Sequence, residues 1–129
     1  MREGEAAPGP EEFQLLVEEA LDEFPDEFLK LIENLAVVVE DVASPQDAGR
    51  AGVANPMHLL GLYTGVPYTE WGRGQVARLP DVIKIYRLPI LSECRNNDEV
   101  REKVRKVVLH ELGHRAGLGE QRLRDLGVY

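Results

Sequence analysis

Between Pro10 and Phe24 the apolar residues Phe13, Leu16, Val17, Ala20, Leu21 and Phe24 recur at the spacing of one helix face, and acids occupy the other. Pro10 suits the first helical position, where no N–H is needed, and Glu11 and Glu12 favour the positive end of the helix dipole. Pro25 interrupts the pattern and can start a second helix, Asp26 to about Glu33, with Phe28, Leu31 and Ile32 inward. The run Leu35-Ala36-Val37-Val38-Val39 is short and rich in branched residues, which predicts a buried strand inside a sheet.

From Ser44 to Pro80 the pattern dissolves into six glycines and four prolines. An unstructured connection of that length is uncommon unless it is partly ordered or forms a lid, so Met57 to Tyr63 is expected to supply local order. The expected arrangement is a loop across one face, bringing Tyr63, Tyr68 and Trp71 towards a cleft. Alternation returns at Asp81-Val82-Ile83-Lys84-Ile85-Tyr86-Arg87, with Ile83 and Ile85 on one face and Lys84 and Tyr86 on the other. Flanking prolines and the internal lysine are marks of an edge strand, which an extended peptide could join by backbone pairing.

Leu88 to Cys94 predicts a short helix, and Asn96-Asn97-Asp98 offers caps for a longer one from about Asp98 to Ala116. In the first half of that helix Val100, Val104, Val107 and Val108 form a stripe, while Arg101, Glu102, Lys103, Arg105 and Lys106 face water. From Val107 to His114 the only charged residue is Glu111. A carboxylate entering the interior is costly unless it is paired, protonated or set beside a metal.

Composition narrows the class. A chain of 129 residues fits one domain, read as a flexible lead over 1–9 followed by a single domain over 10–129. No apolar run approaches the ~18 to 20 residues of a membrane span, and the N-terminus lacks a signal-peptide pattern. With the lone cysteine, Cys94, these features suggest the cytoplasm. The net charge of −8 is uneven: residues 1–41 carry 13 acids and two bases, and the remainder carries 10 acids and 13 bases. Such a balance argues against nucleic acid as a partner, as the absence of an apolar span argues against a membrane.

The chemistry is concentrated in His110-Glu111-Leu112-Gly113-His114-Arg115-Ala116-Gly117-Leu118-Gly119-Glu120. Two histidines four apart on a helix present their imidazoles to one point, which is half of a tetrahedral zinc site. Glu111 lies about 100° round the helix, placed to touch a metal-bound water without ligating, so its expected role is general base. Gly117 can turn the chain back. Glu120 either closes the metal site as an oxygen ligand or begins a terminal helix turn over Gln121 to Leu126, with Asp125 as the weaker substitute. His58, the remaining histidine, reads as a loop residue.

The segment HELGHRAGLGEQRL, together with EEFQLLVEEALDEFPDEF, LAVVVED, GLYTGVPYTE and LPDVIKIYRLPI, resembles a small bacterial zincin-like metallopeptidase family with a minimal matrix-metalloprotease-like fold. The resemblance runs from about Glu11 to the C-terminus. It implies an α+β, metzincin-like fold in which a small twisted sheet packs on the HExxH helix. By it, Zn2+ is held by His110, His114 and Glu120, Glu111 is the base, and the edge strand receives a peptide or protein substrate. Family members usually carry aspartate where Glu120 stands here. Lys84, Tyr86, Tyr63 and Tyr68 are the candidate substrate contacts, and Tyr63, Tyr68, Tyr86 and Arg87 the candidate donors to the oxyanion. The competing expectation is a metal-binding or peptide-docking module on the same scaffold without turnover.

Overall fold

Ile83 and Ile85, both fully buried, mark the middle of the molecule, and the other elements are placed around them. A computed structural model describes residues 7–26, 29, 35–64 and 81–116, the side chains of Asp81 and of residues 114–116 excepted. Its helices are α1 (Pro10–Asp22), α2 (Pro45–Arg50), α3 (Arg87–Ser92) and α4 (Asn97–Ala116). Its strands are β1 (Leu35–Glu40), β2 (Gly61–Thr64) and β3 (Asp81–Tyr86).

The sheet order is β1-β3-β2, with β1 parallel and β2 antiparallel to β3. Ile83 and Ile85, joined by Val37 and Val39 of β1 and Tyr63 of β2, turn towards α1 and α4. There they meet Phe13, Leu16, Val17 and Ala20 of α1 and Val100, Val104, Val108 and Leu112 of α4. Both helices follow the predicted stripes, and Pro10 stands at the start of α1 as expected. Cys94 is buried in this core. The Asn96 carboxamide caps α4 by accepting from Glu99 N–H (2.9 Å), and the Glu99 carboxylate reaches back to Arg95 N–H (2.8 Å). One of the orphan donors at that end, Glu99 N–H, is thereby engaged, and the chain entering the helix is tied down through Arg95.

The roles of two strands are exchanged relative to the pattern-based expectation. β3, which carries the marks of an edge, is the central strand; β1, expected inside, is half-buried and pairs among the described residues with β3 alone. Lys84 is tolerated at the centre because Asp47 of α2 accepts from its Nζ at 2.7 Å and Glu40 lies at 3.7 Å. Pro80 precedes the paired residues and Pro89 falls in the first turn of α3, so neither removes a ladder hydrogen bond.

The glycine- and proline-rich stretch is ordered over most of its described part. Ser44 Oγ accepts from Asp47 N–H and caps α2, Asn55 caps a 3-10 turn over Pro56–His58, and β2 follows at once. Gly52 takes a positive φ of 75° where the chain leaves α2, a conformation open to glycine. At the other end of the chain, Pro8 of the expected lead is fully buried, and its carbonyl accepts from Arg87 Nη1 at 2.9 Å. The predicted helix from Asp26 falls largely outside the described residues, as do Phe28, Leu31 and Ile32; Leu29 N–H donates to the Pro25 carbonyl (3.1 Å). Residues 117–129, including the predicted terminal turn, also lie outside them.

Candidate metal centre and cleft

The motif occupies the last two turns of α4, and the helix is continuous through it. Leu112, fully buried, anchors that turn in the core, which leaves His110 exposed and Glu111 half-buried at the rim. The backbone at His114 is helical, one turn beyond His110. The side chain of His114, and all of Glu120, lie outside the described residues. Histidines at positions i and i+4 of a helix, followed by a carboxylate in the chain, are residue types that suit zinc in its usual tetrahedral coordination.

Glu111 is held by the sheet. Its Oε1 accepts from the Tyr63 backbone N–H at 2.8 Å, across 48 residues of sequence. The ladder explains why that donor is available. Tyr86 N–H donates to Leu60 O (3.0 Å), and alternation in an antiparallel pair then turns Leu62 and Thr64 towards β3 but Gly61 and Tyr63 outward. The outward edge of β2 therefore runs along α4, with Gly61 beside Val107 and Tyr63 beside Glu111. Gly61 is required by that approach: a Cβ would overlap Val107 Cγ1 and lie 3.1 Å from the Lys84 carbonyl oxygen.

A cleft of about 370 Å³ opens between this edge and the helix, lined by Leu59, Leu60, Gly61, Lys103, Lys106, Val107, His110 and Glu111. His110 and Glu111, neighbours in the motif, both line it. Of the expected substrate contacts, Tyr63 takes part through its backbone, since its ring packs against the core. Lys84 and Tyr86 project from the opposite face of β3, where Tyr86 packs with Ala43 and Ala48 and is fully buried. Neither lines the cleft. Burial, and then the nearby Asp47, Glu40 and Glu111 carboxylates, push the Tyr86 phenol up to about 12. The hydrogen bond to Asp47 raises the Lys84 ammonium above its ordinary value, outweighing the opposing effect of burial. Arg87 is committed elsewhere, its Nε donating to Asp41 Oδ1 at 2.9 Å. Tyr68 and Trp71 lie outside the described residues, and His58 is exposed on the 3-10 turn.

The pattern-based reading missed the lysines and the backbone donor. Lys103, Lys106 and His110 share one face at spacings of three and four, so projecting the helix would have grouped the lysines with the motif. No local signal marks the Tyr63 N–H, whose direction depends on strand register.

An HExxH helix packed beneath a small mixed sheet, with a cleft along the strand edge, defines an α+β domain of the metallopeptidase type. The family model for zincin-like metallopeptidases matches residues 32–128, and the chain belongs to that family, one associated with zinc-dependent proteolysis. A search among curated proteins returned no match. Among the described residues, no helix is long and apolar enough to cross a membrane.

Proposed function

We propose that the protein hydrolyses peptide bonds with zinc held by His110, His114 and Glu120. The observation that carries this reading is the Glu111 carboxylate, fixed by the Tyr63 N–H beside His110 at the wall of an open cleft. When bound, zinc supplies a Lewis acid that lowers the pKa of water towards ~7 and polarises the scissile carbonyl. Glu111 Oε1 stays anchored to Tyr63, and the second carboxylate oxygen takes the proton from the attacking water. The same oxygen then passes that proton to the leaving amine, so one residue serves as base and acid in turn. Val107, Leu59 and Leu60 exclude water from the cleft wall and offer apolar contact to a substrate side chain.

The cleft between β2 and α4 replaces the strand from Asp81 as the surface along which an extended peptide lies. Tyr63 N–H is held by Glu111 and Gly61 lies against Val107, so the peptide is received by the side chains that line the cleft rather than by strand pairing along β2. Metal analysis of protein purified without added zinc tests the ligand set directly. The expected content is about one zinc per chain, abolished in His114→Ala and retained in Glu111→Gln. A folded wild-type protein that cannot be loaded with zinc would overturn the proposal.

A further inference from the structure

We propose, resting on the peptidase reading above, that the cleft selects peptides carrying a carboxylate within about three residues of the cleaved bond, recognised by Lys103 and Lys106. Both lysines line the cleft, and Glu111 is the single acid among its described lining residues. They stand four and seven residues before His110, which is ~6 and ~10 Å along the helix axis. An extended peptide advances ~3.4 Å per residue, so that span corresponds to two or three residues of substrate.

The lysines form a ridge. On its far side is a second groove of about 290 Å³, where Glu93, Cys94, Glu99 and Glu102 face the same two side chains. Lys103 now rests on Glu93 (3.2 Å) and Lys106 on Glu102 (3.4 Å), both acids being about half exposed. Ion pairs of that kind are held weakly, so a carboxylate entering the cleft can compete for either ammonium. On a chain of net charge −8, a positive ridge beside the reactive turn offers an acidic peptide a local contrast that a neutral one does not feel.

The test is cleavage of a diverse peptide library by the zinc-loaded protein, followed by matched peptides with Glu, Gln or Lys scanned through the flanking positions, each with a free or amidated C-terminus. The expected result is a Glu-over-Gln preference in kcat/KM of about tenfold at low salt, fading near roughly 0.5 M salt. In Lys103→Gln/Lys106→Gln the preference falls to within about twofold, and in Lys103→Glu/Lys106→Glu it turns towards the Lys peptide. A preference confined to free C-termini assigns the ridge to a chain end; one that survives amidation assigns it to an acidic side chain. Cleavage without charge preference, or a preference that the lysine variants leave unchanged, overturns the proposal while the peptidase reading stands. Affinity of the same fluorescent peptides for zinc-loaded Glu111→Gln reads recognition without turnover. Lysine-dependent binding of the Glu peptide with no cleavage by wild type would sink the peptidase reading and keep the recognition. Absence of both binding and cleavage sinks both.

Discussion

Tyr86 and Asp47 show how much depends on what stands beside a buried polar atom. The Tyr86 hydroxyl is buried with no hydrogen-bond partner among the described residues, so Tyr86→Phe removes a desolvated group without opening a cavity. Denaturant unfolding near neutral pH is expected to show stability equal to wild type or higher by up to ~1 kcal/mol. The alkaline limb follows from the phenol. The folded chain keeps that proton to about 12, against 10.0 for an unperturbed tyrosine, so between those values the unfolded state holds fewer protons. Stability therefore falls as pH rises through this window, and Tyr86→Phe should show a shallower fall. Asp47 presents the opposite case, a carboxylate with an 8% exposed side chain whose closest cation is Lys84, Arg50 being farther at 3.5 Å. Lys84→Met strands that charge and should cost about 1 to 3 kcal/mol by chemical denaturation, with part recovered in Lys84→Met/Asp47→Asn.

Among the elements, β2 is the one on which the site most depends, and it has four described residues. Gly61→Ala would force either Val107 or the β2 backbone to move, and the expected loss of stability is about 1 to 3 kcal/mol. Adding Val107→Ala should recover part of it, because the Lys84 carbonyl still crowds the new methyl; no recovery would mean that Val107 is not the limiting neighbour. What could be read from the chain beforehand divides along the same line. Stripes such as Val100, Val104 and Val108, the Pro10 start and the spacing of His110 and Glu111 are local, and a helix enforces them within a few residues. Strand order is not local. Lys84 looks like an edge marker until Asp47, 37 residues earlier, is placed against it, and β2 is too short for alternation to announce. The lysine ridge is visible in the sequence but reads as a solvated face, since facing water and lining a cleft look alike there.

For the molecule as a whole, two distant segments are joined at one atom. α4 supplies His110 and Glu111 from a helix seated in the core, and the edge of β2 supplies the N–H that fixes the carboxylate. The apolar face shared by α1, the sheet and α4 makes that meeting rigid, while the cleft beyond it stays open to an extended chain. Zinc-dependent proteolysis is the family's chemistry, and in the proposed mechanism Glu111 moves the proton. The most direct measurement compares peptide cleavage by zinc-loaded wild type and Glu111→Gln at equal metal content. The expected result is a loss in kcat/KM of ~100-fold or more with zinc still bound, in keeping with removal of a general base. Cleavage by the variant at the wild-type rate would contradict it.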